Sequence, residues 1–139
     1  MDCYLGIDVG SVSTKLVLID RDRRILFQTY LRTHGGPVEA IQTALRQLTE
    51  KMGDVFIRTA CTTGSGRHLA AAMVGAEVVK NEITAHAVAA REVEPRVRTV
   101  IDIGGQDSKI IFIKDGVSTG FNMNSICAAG TGSFLDHQA

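Results

Sequence analysis

Short apolar runs closed off by turn residues fill the first part of the chain and predict strands over residues 4–9, 15–19 and 25–31. The links between them, a Gly/Ser-rich turn at 10–14 and a charged one at 20–24, are short, which makes antiparallel neighbours. Gly35-Gly36-Pro37 then breaks the chain, with proline where the first turn of a helix welcomes it. Val38, Ile41, Leu45, Leu48 and Met52 recur at intervals of three and four, one apolar face of a helix that Gly53 ends. A fourth strand at 55–60, reached through that helix, is expected to lie parallel to the first. A small-residue turn at 61–67 opens an alanine-rich helix at 67–74, and an extended piece at 77–79 follows. Asn81 is placed to cap a helix at 82–94, which Pro95 stops. Strands are expected again at 98–103, 108–114 and 117–122, the last two joined through Asp115-Gly116.

The later strands repeat the earlier ones without a gap. Gly6-Ile7-Asp8-Val9-Gly10 through Lys15 and Val100-Ile101-Asp102-Ile103-Gly104 through Lys109 keep Asp, Gly and Lys in register, 94 residues apart. Either copy alone is an ordinary hairpin turn with a lysine where a strand exits to water. Repetition of strand, acid, turn, base and strand implies duplicated domains, a first over 1–96 and the start of a second over 97–139. The same offset puts the counterpart of the Pro37 helix near residue 131, and 128–138 is where one fits, so the chain is expected to hold one complete domain and about the first third of its partner.

The turn chemistry suggests what such a pair would grip. Gly10, Gly104 and Gly105 are expected to bend the backbone through positive φ and let it approach a ligand, while Ser11, Ser13, Thr14 and Ser108 add hydroxyls. Successive amides in such turns make an anion site suited to phosphate, and one carboxylate at each mouth, Asp8 and Asp102, suits a hydrated Mg²⁺.

Composition narrows the partners. Fifteen basic and fifteen acidic residues give no electrostatic case for nucleic acid or an anionic membrane. Apolar runs such as 69–76 are too short to span a bilayer and the start lacks a basic leader, which points to a cytoplasmic protein. Three scattered cysteines argue for reduced thiols rather than a disulfide framework. Gly64-Ser65-Gly66 is an incomplete dinucleotide fingerprint, with Leu69 where the third glycine belongs, and reads as a tight turn onto a helix. Glu82 and His86 share one helix face, a spacing more often found in a surface or interdomain hydrogen bond than in an acid–base or metal pair.

Ile7-Asp8-Val9-Gly10-Ser11, Thr63-Gly64-Ser65-Gly66-Arg67, Asn81-Glu82-Ile83-Thr84-Ala85-His86-Ala87, the Asp102 copy and Cys127-Ala128-Ala129-Gly130-Thr131-Gly132 together resemble the ATP-dependent activators of 2-hydroxyacyl-CoA dehydratases and the related ATPase subunits of benzoyl-CoA reductase. The resemblance runs from about residue 4 to the end. It implies an α/β fold of the ribonuclease-H-like, actin-like ATPase kind with a mixed sheet, followed by part of a duplicated second domain. It also implies a homodimer sharing one [4Fe–4S] cluster, in which ATP hydrolysis drives an electron from a donor such as ferredoxin or flavodoxin into a dehydratase or reductase. By position, Cys127 is implied as a cluster ligand, and a helix start favours the thiolate that binds iron. Cys3 and Cys61, in strand contexts, are expected to be inert thiols. Asp8 and Asp102 are implied to hold Mg²⁺ through water. Gly10, Ser11, Ser13, Gly104 and Gly105 would cradle the ATP or ADP phosphates, with Lys15 and Lys109 as charge contacts. Gln106 is implied to position the attacking water, with Asp107 its rival. Ala85 and Ser65 depart from the cysteine and aromatic often found at those places in the family. One thiolate per subunit is short of the four a cluster needs, so no stable cluster, and weak ATP binding at best, is expected of this length of chain. A small-molecule kinase and a nucleotide-gated switch are the alternatives on the same fold.

Overall fold

The computed structural model describes residues 2–124, which form two compact units parting between Asn81 and Glu82. The first unit runs β1 (Asp2–Val9), β2 (Ser13–Asp20), β3 (Ile25–Arg32), α1 (Pro37–Met52), β4 (Phe56–Thr63), α2 (Arg67–Val74) and β5 (Val78–Val79). Its sheet has the order β3-β2-β1-β4-β5, antiparallel from β3 to β1 and parallel from β1 to β5. The fourth strand is parallel to the first because a helix, rather than a tight turn, brings the chain back.

Strand pleating sends Cys3, Leu5, Ile7 and Val9 of β1 to one face, where they meet Leu16, Leu18 and Phe27. Helix α1 closes this core with Ile41, Ala44 and Leu48. Pro37 stands at its first turn, and Gly53, with φ at 66°, ends it by taking the N–H of the cap back to Thr49 O. Leu45 and Met52 pack against the same core, as the stripe of large residues predicts. Ala40 and Ala44 face the sheet while Val38 is exposed, because alanines let the helix backbone approach the strands closely.

The second unit consists of α3 (Glu82–Val93), β6 (Thr99–Ile103), β7 (Ser108–Lys114) and β8 (Val117–Met123), an antiparallel sheet in the order β6-β7-β8. Asp115 and Gly116 both take positive φ, the geometry of a two-residue hairpin turn. Arg91 Nη1 donates to Gly116 O at 3.0 Å and fastens that turn to α3. One sheet face is covered: Ile111 and Ile113 pack with Ala87 and Ile83 of α3 and with Val97 and Val100. The other face leaves Ile101, Ile103, Ile110 and Phe112 exposed, while Phe121 and Met123, register partners of Ile111 and Lys109, are exposed on the same face as Ile111. Among the described residues no helix is long and apolar enough to cross a membrane. The helix expected at 128–138 lies outside the described residues.

Candidate nucleotide site

The repeat legible in the sequence is a repeat of geometry. Asp8 stands opposite Lys15 in the β1–β2 register, and Asp102 opposite Lys109 in β6–β7. Both turns close in the same way, Gly10 N donating to Ser13 O at 2.9 Å and Gly104 N to Asp107 O at 2.8 Å. The glycines are needed for a reason other than the one expected. Neither Gly10, Gly104 nor Gly105 takes a positive φ. At Gly10 and Gly104 it is space that matters: a Cβ would stand 3.1 Å from Ser13 O and 3.2 Å from Asp107 O, against the strand that the turn folds back on.

In the first unit the turn is braced from behind. Thr33 N donates to Val12 O, Thr33 Oγ1 donates to Gly10 O at 3.0 Å, and Thr33 Oγ1 lies 3.0 Å from Thr14 Oγ1 in a buried hydroxyl pair. These bonds hold the turn while the amides of Ser11 and Val12 keep no partner among the described residues. Lys15 Nζ sits 2.9 Å from Asp8 Oδ2. The other carboxylate oxygen, Asp8 Oδ1, is buried without a partner, and so is Thr63 Oγ1. Asp8 and Thr63 are register neighbours at the carboxyl ends of the parallel strands β1 and β4, the edge where open α/β sheets bind ligands. Two orphaned buried oxygens side by side are costly in an empty protein and call for a donor from outside.

The 63–67 turn, singled out in the sequence for its glycines, seals this corner. Gly66 N and Ser65 Oγ both donate to Val9 O, at 2.8 and 3.3 Å. Arg67 Nη1 donates to Gly64 O at 3.0 Å, and Thr62 Oγ1 to Arg67 O at 2.9 Å. Gly64 has φ at +89°, and a Cβ there would fall 2.5 Å from Asp8 Oδ1. Thr63 and Gly64 stand at this corner although the sequence read their stretch only as a tight turn and a family-like motif, without a role for either residue. Their position at the end of a strand parallel to β1 was the further signal.

The second hairpin is built more densely. Lys109 is buried, its Nζ 2.6 Å from Asp107 Oδ1, 3.3 Å from Glu82 Oε2 and 3.6 Å from Asp102 Oδ2. Burial by itself pulls the ammonium's pKa down, but the hydrogen bond to Asp107 and the charges of Glu82 and Asp107 outweigh it, so the net displacement is upward. His86 Nε2 lies 3.3 Å from Asp102 Oδ2. Glu82 and His86, an ambiguous pair in the sequence, are thus brought to this hairpin by α3. Asn124 braces its return strand, accepting from Ser108 N on Oδ1 at 2.8 Å and donating from its own N to Ser108 O. Gln106 is exposed at the tip of the turn, whereas Asp107, its rival for the same role, is tied to Lys109.

The cysteines divide by environment. Cys3 is buried in the first core. Burial pushes the Cys61 thiol up, against a weaker downward pull from Lys80, which leaves it poorly suited to iron. Cys127 lies outside the described residues, and among the described residues no three His, Cys, Asp or Glu side chains gather as a metal site.

The chain is 38% identical over 138 residues to the (R)-2-hydroxyglutaryl-CoA dehydratase activating ATPase of Acidaminococcus fermentans, covering 97% of this chain and 52% of that protein. It is likewise 38% identical to the activator of lactoyl-CoA dehydratase of Anaerotignum propionicum, over 97% of this chain and 52% of that one. The solved structure of the activator of the 2-hydroxyisocaproyl-CoA dehydratase from Clostridium difficile with bound ADPNP superposes with a TM-score of 0.86 at 33% identity, over 97% of this chain and 50% of that one. The chain thus spans about half the length of these relatives. Its first-unit sheet order and its Asp–Lys hairpins, taken with a match of the family's sequence profile over residues 5–139, make it a member of the BadF/BadG/BcrA/BcrD ATPase family.

Proposed function

We propose that the chain supplies the nucleotide grip of an ATP-hydrolysing activator that passes a low-potential electron to an enzyme of the 2-hydroxyacyl-CoA dehydratase or benzoyl-CoA reductase type. The relatives named above are activators of such dehydratases. The observation that carries the ATP part is the corner at Asp8: an orphaned carboxylate oxygen beside an orphaned threonine hydroxyl, below a turn with two open amides.

In this reading Asp8 Oδ1 accepts from a water on Mg²⁺, Thr63 Oγ1 gains the partner it lacks, and the amides of Ser11 and Val12 donate to phosphate oxygens. Mg²⁺ bound with ATP supplies neutralisation of the phosphate charge. Lys15, held at Asp8, keeps that carboxylate in place. Asp102 serves as the corresponding carboxylate of the second hairpin. Gln106, exposed at its turn, carries the side-chain amide that orients the attacking water; Asp107, bonded to Lys109, positions the turn. Ser13, Gly10, Gly104 and Gly105 shape the two turns. Cys127 is the thiolate offered to a [4Fe–4S] cluster shared between the subunits of a homodimer, with an electron donor of the ferredoxin or flavodoxin type.

Anaerobic reconstitution of the full-length protein tests both halves. ATP hydrolysis that Asp8→Asn lowers at least tenfold, together with a brown, iron-containing dimer that Cys127→Ser abolishes, is the expected result. Phosphate transfer to an added sugar or acid, with no iron bound, would replace this function with that of a kinase.

A further inference from the structure

The two hairpins hold their acids differently, and a single exchange accounts for it. In the first copy Lys15 comes to 2.9 Å from Asp8, its one carboxylate partner among the described residues. The residue at the position of Ser13 in the second copy is Asp107, which draws Lys109 to 2.6 Å; Glu82 of α3 takes a further share at 3.3 Å. The lysine consequently stands 3.6 Å from Asp102, too far to fix its carboxylate as Lys15 fixes that of Asp8. One turn along α3 from Glu82, His86 brings Nε2 to 3.3 Å from Asp102 Oδ2. The lysine and the imidazole approach the same oxygen, Oδ2.

We propose that His86 is a positioning residue for Asp102, taking over in the second hairpin the task that the lysine performs in the first. Its ring N–H holds Oδ2, sets the rotation of the carboxylate and leaves Oδ1 as the oxygen presented to the water shell of the nucleotide's cation. The neutral ring carries the N–H that this requires, so the role does not depend on His86 being charged. The proposal rests on the reading of Asp102 as a carboxylate that holds Mg²⁺ through water.

The test uses the full-length protein and follows ATP hydrolysis against Mg²⁺ concentration for His86→Ala, His86→Gln and Asp102→Asn, beside a thermal melt of each. Loss of a partner behind a metal-binding group commonly costs about 10–100-fold in metal affinity or activity. His86→Ala is therefore expected to raise the Mg²⁺ needed for half-maximal rate about tenfold. Its KM for ATP at saturating Mg²⁺ and its melting temperature should hold, since His86 is half-exposed. His86→Gln, whose amide N–H reaches about as far as Nε2, is expected to restore most of the loss. The proposal is overturned if His86→Ala keeps the parental Mg²⁺ dependence while Asp102→Asn does not, if Gln fails to rescue, or if the defect follows a fall in melting temperature. Should Asp102→Asn itself behave as the parent, the reading of Asp102 fails and takes the proposal with it.

Discussion

Thr63 and Lys109 are the residues whose chemistry departs furthest from what their neighbours in sequence announce. Thr63 Oγ1 is buried with no partner beside Asp8, so its hydroxyl adds nothing to the empty fold. Thr63→Val is expected to melt at the parental temperature or above it. The same variant should bind nucleotide roughly three- to tenfold more weakly, the worth of one hydrogen bond of about 0.5–1.5 kcal/mol. Titration calorimetry beside a melting curve decides: a variant that is less stable yet binds as before shows a hydroxyl with a structural job. Lys109 is the reverse case, an ammonium that three carboxylates compensate. Lys109→Met leaves Glu82, Asp102 and Asp107 facing one another, and a loss of about 2 kcal/mol at neutral pH is expected, reduced from the fully buried case because Glu82 and Asp107 are partly exposed. Because the folded pKa of Lys109 is raised, its contribution is complete below the ordinary lysine value of about 10.4 and is lost only as pH climbs through the higher folded value. Urea midpoints of parent and variant should accordingly stay a constant distance apart from pH 6 to 9; a gap that narrows across that window would show that the lysine is not the group responsible. The recurrence of Asp and Lys at the same spacing was legible in both copies; that the two stand opposite each other follows from the strand register. The burial of Lys109 was not legible, since it depends on Asp107 replacing a serine and on Glu82 arriving from a helix some twenty residues upstream.

Elements were legible where large apolar residues mark them and less so where small ones do. The α1 stripe was drawn through Val38, Ile41, Leu45, Leu48 and Met52; all of these but Val38 pack on the core, and the helix buries Ala40 and Ala44 there as well. The stripe of large residues missed the two alanines, which are small enough to let the backbones close. Ala44→Leu is therefore expected to cost about 1–3 kcal/mol by overpacking, although it raises hydrophobicity and replaces one strong helix former with another. Val38→Ala, at a position drawn into the stripe but exposed in the fold, should change stability by less than about 0.5 kcal/mol. Denaturant midpoints of the two variants check the seating of the helix, and the opposite ranking would put Val38 rather than Ala44 against the sheet. The positive φ expected of Gly10, Gly104 and Gly105 failed for a related reason: glycine signals a lack of room as readily as a left-handed backbone, and the sequence does not distinguish the two.

At the scale of the molecule, the repeated Asp–Lys hairpin frames a surface that is otherwise out of place. Ile101, Ile103, Ile110 and Phe112 are exposed, yet their counterparts 94 residues earlier, Ile7, Val9, Leu16 and Leu18, are the centre of the first core beneath α1. An exposed apolar face of this extent is uncommon on a finished domain and marks a surface with a partner. The face is expected to be covered in the full-length protein, as α1 covers the equivalent face of the first sheet. Phe112→Ala then removes a core side chain and should cost about 3–5 kcal/mol in the full-length protein, in the range expected for Phe27→Ala in the first unit. Thermal and urea unfolding of the two variants side by side make the comparison. If Phe112→Ala changes stability by less than about 0.5 kcal/mol, the face is a true exterior and the second unit does not complete itself on the pattern of the first.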